Sequence, residues 1–164
     1  MQLVITLFLI LFIGCNYQVD GKYMELNRPS TKTNSDDEKV IEINRQFLEY
    51  QRSFQGVTSI LPKKIEELDR IIFLDVRERE EYEVSTLPGA ITLEEFKSNP
   101  HDFKDKNIVV YCTIGYRSGI FTKKLVDEGF SAYNLKGGVL MWSHENKSFF
   151  KNSKPTKKVH VYAK

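Results

Sequence analysis

The sequence predicts an α/β domain in which a parallel sheet of about five strands is covered by helices on both faces. Short apolar, β-branched runs alternate along the chain with helix-like segments, the pattern that produces parallel sheets. Residues 108–112 are continuously apolar, as is typical of a strand buried on both faces. A length of 164 residues, 41% of them hydrophobic, suits one such domain with extensions.

The first predicted element is an amphipathic helix over residues 36–54. One apolar face recurs at helical spacing and contains Val40, Ile43, Phe47, Tyr50 and Phe54. Residues 35–38 supply capping groups and acidic charge for its first turn. We expect this helix to pack on the flank of the domain, and a dimerising helix is the alternative interpretation.

The predicted domain spans residues 55–145, where strands and helices alternate. Strands are expected at 57–58, 71–76, 90–92, 108–112 and 132–135, and helices at 63–68, 78–83, 93–97, 118–128 and 139–143. Pro62 opens one of these helices and Gly129 ends another. Ligands of such sheets bind beyond the carboxyl ends of the strands, where Asp75 and Cys112 both fall.

Cys112 is the candidate reactive group. A turn containing Gly115 follows it, and a helix is expected to begin at Ser118, so free N–H groups of the turn and of the first helical turn converge near the sulfur. Arg117 adds a positive charge beside the same point. This setting stabilises a thiolate, the reactive form of cysteine. The alternative is an inert cysteine of the core.

Four motifs carry a resemblance to a known family. The segment Cys112-Thr113-Ile114-Gly115-Tyr116-Arg117-Ser118 resembles the active-site loop of rhodanese-like sulfurtransferases. Similar motifs elsewhere are Asp75-Val76-Arg77 with Glu80-Glu81-Tyr82, Leu87-Pro88-Gly89-Ala90-Ile91, and Gly137-Gly138 with Trp142. One departure is Ser85-Thr86, which stands where the family usually has Gly-His.

The resemblance implies a sulfurtransferase that carries sulfur as a Cys112 persulfide. The sulfur would come from thiosulfate or a persulfide and would pass to a thiol or to cyanide. Cys112 and Arg117 would be catalytic, with Arg117 holding the anionic oxygens of the sulfur donor. The substrate loop would comprise Thr113, Ile114, Gly115, Tyr116 and Ser118. Asp75 and Arg77 would support the loop, and no metal or organic cofactor is implied.

Two alternatives remain at this point. One is a phosphatase or arsenate reductase of the same fold, but protein tyrosine phosphatases have five residues between the cysteine and the arginine, whereas Thr113 to Tyr116 are four. The shorter loop makes a narrower cradle, which suits sulfur better than a tetrahedral phosphate. The other alternative is a sulfur-carrier or protein-interaction module without enzymatic activity.

The amino-terminal region indicates export. Residues 3–13 are apolar apart from Thr6. This segment is too short to span a bilayer, and its length and composition match the apolar core of a signal peptide. The following Gly14-Cys15 resembles a bacterial lipobox, so residues 1–15 are interpreted as a signal ending in a lipidated Cys15. Residues 16–35 would then tether the domain to the membrane of the bacterial envelope, at its periplasmic face. An ordinary cleaved signal or an uncleaved anchor is the alternative.

The net charge and the carboxyl-terminal residues indicate which classes of binding partner to expect. A net charge of +2 does not favour nucleic acid, and we expect a small sulfur-containing substrate and a thiol acceptor. Residues 146–164 form a Lys-rich tail that is expected to be solvated and frayed. The alternatives for the tail are contact with anionic lipid, or an edge strand formed by Val159, Val161 and Tyr162. The three histidines, His101, His144 and His160, are expected at the surface.

Lipidation can be tested at Cys15. The wild-type protein should partition into detergent, and Cys15→Ser should release it into the aqueous fraction without changing the chemistry of Cys112, because several acyl chains anchor a protein firmly. Membrane fractionation with mass spectrometry of the mature amino terminus measures this. An unmodified terminus at Met1 would contradict the interpretation.

Overall fold

The structure is a computed structural model that describes residues 23–25 and 34–161. The strands are β1 (Tyr23–Glu25), β2 (Ser59–Ile60), β3 (Ile71–Asp75), β4 (Ile91–Thr92), β5 (Asn107–Tyr111), β6 (Ala132–Leu135), β7 (Phe149–Lys151), β8 (Lys154–Thr156) and β9 (Lys158–His160). The helices are α1 (Asn34–Gln51), α2 (Arg79–Tyr82), α3 (Leu93–Ser98), α4 (Tyr116–Asp127) and α5 (Gly138–His144). Short 3-10 helices occur at Arg52–Phe54, Pro62–Glu67 and Pro100–Phe103.

The central sheet confirms the predicted fold class. Five strands run in the order β2-β6-β5-β3-β4, and every neighbouring pair is parallel. The carboxyl ends of β3 and β5 therefore lie side by side, with Asp75 paired to Tyr111 in the register. This pairing places Asp75 close to Cys112, the residue that follows β5.

Two apolar layers cover the two faces of the sheet. Along β5, Val109 and Tyr111 point into one layer, which includes Trp142 of α5, whereas Ile108 and Val110 point into the other. The second layer contains Phe96 of α3 and Leu125 of α4. Alternate side chains of a strand face opposite sides of a sheet, so the continuous apolar run of β5 fills both layers.

Most predicted boundaries differ from the observed ones by a residue or two. The first strand of the domain shares no residue with its prediction, which was 57–58, because the strand is found at Ser59–Ile60. Val57 still belongs to the preceding turn, because its N–H donates to the carbonyl of Phe54 at 3.3 Å. Helix α4 begins at Tyr116, earlier than the predicted Ser118, so it follows Gly115 directly.

Helix α1 packs on the flank of the domain, as predicted. Ile43 and Phe47 on its apolar face are buried, and so is Phe54 in the 3-10 helix that continues it. The helix contacts α4 and α5. Its apolar face is therefore covered within the chain, and exposed apolar side chains of α1 are Ile41 and Leu48.

The prediction of a frayed tail is wrong for residues 149–160. Strands β7 and β8 form an antiparallel hairpin, and β9 pairs with β1 of the segment expected to be a linker. Phe149 and Val159 are buried in the same apolar layer as Trp142, and His160 is buried as well, against the surface position expected for it. The six lysines of the tail favoured the prediction of a solvated segment, although the tail also contains Phe149 and Val159, which are buried in the core.

Among the described helices, none combines the length and the apolar character needed to cross a bilayer. The predicted signal and Cys15 lie outside the described residues.

Because the tail packs on the domain through Phe149, truncating this side chain should destabilise the protein. Phe149→Ala should lower the free energy of unfolding by about 3–5 kcal/mol, because a buried aromatic ring is lost and a cavity remains. The measurement is denaturant unfolding. Phe150→Ala, on the half-buried neighbouring side chain, is the matched control and should cost clearly less. Equal costs for the two variants would show that the tail is not docked in solution.

Candidate active site

Cys112 lies immediately after β5 and is buried, with 1% of its surface exposed. The N–H of Gly115 donates to its Sγ at 3.2 Å, and the Ser118 hydroxyl oxygen lies 3.4 Å from the same sulfur. Gly115 is the residue before α4, and Ser118 is in the first turn of that helix. The sulfur is thus held where the first amides of α4 have no acceptor within the helix.

Gly115 is needed for two physical reasons. Its φ of +103° lies in the left-handed region that disfavours residues with a side chain. A Cβ at this position would also lie 2.6 Å from a ring carbon of Phe47 on α1. Helix α1 therefore forms the back wall of the loop that carries Cys112, a contact that the sequence pattern did not indicate.

The start of α5 holds the beginning of the loop. The N–H groups of Val139 and Leu140 donate to the carbonyls of Cys112 at 3.0 Å and Thr113 at 3.2 Å. This approach is possible because Gly138 has no side chain, since a Cβ there would lie 2.6 Å from the Thr113 carbonyl oxygen. The Gly137-Gly138 pair therefore allows the start of α5 to approach the loop closely enough for these hydrogen bonds.

Asn134 is a site residue that the sequence analysis missed. It is fully buried on β6, its amide donates to the carbonyl of Gly115 at 2.9 Å, and its carbonyl accepts from the Ser118 hydroxyl at 2.7 Å. Both groups nearest the sulfur are therefore tied to one side chain. The signal in the sequence was a polar residue inside an otherwise apolar strand, because a buried side-chain amide such as that of Asn134 needs hydrogen-bond partners.

Glu81 on α2 is the second missed residue, and it is the ion-pair partner of Arg117. The two groups form a bidentate ion pair, with Arg117 Nη1 2.6 Å from Oε2 and Nη2 2.8 Å from Oε1. Thr113 donates its hydroxyl to Glu81 Oε1 at 3.0 Å and lies 3.2 Å from Arg117. The guanidinium therefore interacts both with the Glu81 carboxylate and with Cys112, and the predicted role of Arg117 in holding the oxygens of a sulfur donor stays a prediction.

The Glu81 carboxyl is ionised in the fold. Burial acts to raise its pKa, but hydrogen bonds from Arg117 and from the backbone of Glu78 outweigh burial and hold the pKa below its ordinary value of 4.5. Glu81 also closes the capping box of α2 through the Glu78 N–H at 3.0 Å. The sequence contains this capping pattern, but it does not reveal the partner on α4.

Asp75 and Arg77 form a buried ion pair next to the loop. Arg77 donates from Nε at 2.9 Å and from Nη2 at 2.7 Å to the two carboxylate oxygens of Asp75, and it also donates to the Ser85 carbonyl at 2.6 Å. The Tyr111 hydroxyl donates to Asp75 and accepts from the Leu87 N–H at 3.2 Å. Burial raises the pKa of Tyr111, so its proton is retained for this bond. The pair thereby links β3, β5 and the segment 85–87.

The remaining loop residues divide into inner and outer positions. Thr113 is buried, and its hydroxyl is turned toward Glu81. Ile114 is half-buried, and Tyr116 is 43% exposed with its ring 5.1 Å from that of Tyr50. These two side chains give the outer side of the loop its apolar character. Trp142 belongs to the core, where its Nε1 donates to the Ser148 carbonyl at 3.0 Å.

A cavity of about 460 Å³ opens between α2 and α3 and is lined in part by Arg77, Tyr82 and Lys97. Cys112 does not line it. The candidate site is therefore defined by the loop around the sulfur and not by the size of a cavity.

Taken together, the loop can hold a negative charge on sulfur. The Gly115 amide donates to Sγ, and the Arg117 guanidinium, which is paired with Glu81, interacts with Cys112 as well. Such an arrangement suits nucleophilic attack by a thiolate and storage of a sulfur-bound anion.

Comparison with known proteins identifies relatives of this region. Residues 58–145 match the family described as rhodanese-like domain. The tRNA sulfurtransferase of Desulfurococcus amylolyticus is 42% identical over 85 residues, 48% of this chain and 17% of that protein. The tRNA uridine(34) hydroxylase of Acinetobacter baylyi is 40% identical over 97 residues, 51% of this chain and 31% of that protein. The chain thus spans less than a third of the length of these two relatives.

A relative of similar size is the Bacillus subtilis protein YtwF, whose name assigns it provisionally to the sulfurtransferases. It is 35% identical over 94 residues, which are 55% of this chain and 90% of that protein. Among solved structures, thiosulfate sulfurtransferase from Pseudomonas aeruginosa has a TM-score of 0.53 at 20% identity, covering 69% of this chain and 23% of that one. At this identity the structural likeness shows the fold alone.

The ion pair of Glu81 predicts a pH-dependent stability. Because its pKa is lower in the folded state, the pair should contribute fully above about pH 4.5, and the contribution should be lost as pH falls through the folded-state pKa. The free energy of unfolding of the wild type should exceed that of Glu81→Gln at neutral pH, and the difference should shrink below pH 4.5.

The matched control is Glu83→Gln, which removes an exposed carboxylate that pairs with Arg79 at 2.6 Å. This variant should stay close to the wild type at every pH, because exposed ion pairs contribute little. A difference for Glu81→Gln that does not vary between pH 7 and pH 3 would refute the ionised pair.

Proposed function

Because the chain belongs to the rhodanese-like domain family, we propose that it is a sulfurtransferase that carries sulfane sulfur as a persulfide on Cys112. The observation that carries the proposal is the environment of one atom. Cys112 Sγ lies at the carboxyl end of the central strand, with the Gly115 N–H at 3.2 Å and the start of α4 beside it. Backbone donors aimed at the sulfur favour its anionic forms.

The proposed reaction has two half-reactions. The Cys112 thiolate attacks the outer sulfur of thiosulfate or of a persulfide, the sulfur–sulfur bond of that substrate breaks, and sulfite or a thiolate leaves with the bonding electrons. A thiol or cyanide then attacks the outer sulfur of the Cys112 persulfide, and Cys112 leaves as the thiolate. The negative charge stays near the loop in both steps, so fixed hydrogen-bond donors stabilise each of them.

The other site residues hold this sulfur in place. Gly115 and Ser118 touch it, while Asn134 fixes both of them. Thr113 and Arg117 connect the loop to Glu81 on α2, and the Asp75–Arg77 pair fixes the end of the neighbouring strand. Ile114 and Tyr116 lie on the outer side, where an acceptor would approach.

Three other functions have less support. A phosphatase needs a loop wide enough for a tetrahedral phosphate, whereas four residues separate Cys112 from Arg117 and the guanidinium is bound to Glu81. For the relative named as a tRNA hydroxylase, the aligned region covers only about half of this chain and 31% of that relative. A sulfur-carrier module would use the same Cys112 persulfide without turnover, and turnover distinguishes it.

The proposed location rests on the amino-terminal sequence. Residues 1–15 would be a signal ending at a lipidated Cys15, which would hold the domain at the periplasmic face of a bacterial membrane. In that compartment the proposed partners are a small sulfur-containing substrate and a thiol acceptor.

The test of function is Cys112→Ser. This variant should lose sulfur transfer to cyanide, measured as thiocyanate, and should lose the added mass of one sulfur after treatment with a sulfane sulfur compound. The change is small in volume, so thermal unfolding should show an intact fold.

Cys15→Ser removes the other cysteine of the chain and is the control, which should keep full activity and the added sulfur. Undiminished transfer by Cys112→Ser would refute the proposal. Added sulfur without multiple turnovers would favour the carrier module, and hydrolysis of aryl phosphates faster than sulfur transfer would favour the phosphatase.

A further inference from the structure

The hairpin of β7 and β8, together with the start of β9, carries positive charge that the proposed reaction does not use. We call its four exposed lysines, Lys151, Lys154, Lys157 and Lys158, the basic surface. None of the four forms an ion pair within the part of the chain that the structure describes. Residues 147–164 hold six of the 24 Lys and Arg residues and no Asp or Glu, so the rest of the chain has 18 basic and 22 acidic residues. The positive charge is thus concentrated at one side of the protein.

Two lysines of the basic surface lie directly opposite each other. Lys151 of β7 and Lys154 of β8 are partners in the antiparallel register. The turn between them consists of Asn152 and Ser153, with φ angles of +48° and +61°, and two-residue turns with positive φ at both positions fix the register of a hairpin. Like charges directly opposite one another destabilise an antiparallel pair. An anion bound on this face would offset that repulsion.

The hairpin is attached to the domain, so the basic surface has a fixed place. Thr86 and Phe150 exchange two backbone hydrogen bonds, each 2.9 Å long. The neighbouring Phe149 is buried in the core. The lysines are therefore presented together by a docked element, unlike the charges of a frayed tail, which spread over many conformations.

The amino-terminal part of the chain approaches the domain at the same side. Strand β1 pairs with β9, and Glu25 is the register partner of Lys158. One acidic partner can offset one charge of the basic surface, and three charges remain. Residues 16–22 separate β1 from Cys15, so at most about 29 Å of extended chain lies between them. A lipid anchor at Cys15 would therefore hold the β9 side of the domain toward the membrane.

We propose that the basic surface binds the headgroups of anionic phospholipids and holds the domain in one orientation on the membrane. Lysines near a negatively charged bilayer are attracted to it, and each strengthens binding about fivefold. Only the orientation of the domain rests on the proposed lipidation of Cys15, and the chemistry of Cys112 is not involved.

The observations favour a membrane over a nucleic acid, the other polyanion that lysines bind. Residues 147–164 contain no arginine, the residue that makes bidentate contacts with phosphates and bases. The remaining chain carries more acidic than basic residues, and these would repel a nucleic acid that extended past the basic surface. A bilayer meets the protein from one side only, so it can contact the lysines alone.

The first experiment measures vesicle binding by the full chain carrying Cys15→Ser, which removes the proposed lipidation site. Binding to vesicles of phosphatidylglycerol and phosphatidylcholine in equal parts should exceed binding to phosphatidylcholine alone by about a hundredfold, as expected for three unopposed lysines. The preference should disappear when the salt concentration rises from 0.1 to 1 M, because the Debye length falls from about 10 to about 3 Å. Insertion of the apolar residues 3–13 would strengthen binding to both vesicles alike and leave the ratio unchanged. Equal binding to both vesicles would overturn the proposal.

The second experiment removes two charges of the basic surface with Lys151→Gln and Lys154→Gln in the same Cys15→Ser chain. The preference for phosphatidylglycerol should fall by about 25-fold, since each lysine contributes about fivefold. These side chains are exposed, so thermal unfolding and sulfur transfer in solution should match those of the parent chain.

The matched control is the pair Lys123→Gln and Lys124→Gln on α4, which changes the net charge equally. Both lysines are exposed, and they pair with Asp127 and Glu128. The preference should stay that of the parent chain. Equal losses in the two double variants would show that net charge and not the basic surface attracts the vesicles, and would overturn the proposal.

The other outcomes are distinct from failure of the proposed function or location. Absence of sulfur transfer, or an unmodified amino terminus, would leave the vesicle preference in place. Binding of bulk tRNA that is lost with Lys151→Gln and Lys154→Gln, without a preference for anionic vesicles, would assign the basic surface to nucleic acid and overturn the proposal.

Discussion

The site depends on how closely backbone segments approach one another around the loop after β5. The carbonyls of Cys112 and Thr113 must accept hydrogen bonds from the first turn of α5, and this contact leaves no room for a side chain at Gly138. On the other side, Gly115 turns the chain into α4 against the ring of Phe47. The sulfur is therefore placed by main-chain contacts, which fix its position more firmly than flexible side chains would.

Two buried ion pairs also hold the loop in position. Their main effect is to orient segments of the chain, and their net contribution to the free energy of unfolding is small. Replacing a buried pair by apolar groups is often neutral for stability, whereas removing one partner costs about 3–5 kcal/mol because the other charge is stranded. The Asp75–Arg77 pair joins the ends of β3 and β5, and the Glu81–Arg117 pair joins α2 to α4. Each pair thus ties a segment of the chain to the loop.

Segments outside the family match take part in the same structure. The match covers residues 58–145, yet α1 supplies Phe47 behind the loop, and the tail supplies Phe149 and Val159 to the core beneath Trp142. Strand β9 also pairs with β1, so the region between the predicted signal and α1 contains a structured segment. The domain is therefore extended at both ends by elements that contact its core or its site.

The sequence by itself determined the order of strands and helices within residues 57–144, because apolar periodicity and turn residues are local signals. It also determined the placement of Cys112 between the central strand and Gly115, four residues before Arg117. Only the tertiary structure decided which groups meet there. Glu81 is 36 residues from Arg117, and Asn134 is 16 residues from Ser118, so neither contact has a local signature. The tail was misjudged for a related reason, since whether Val159 is buried depends on a surface that other parts of the chain create.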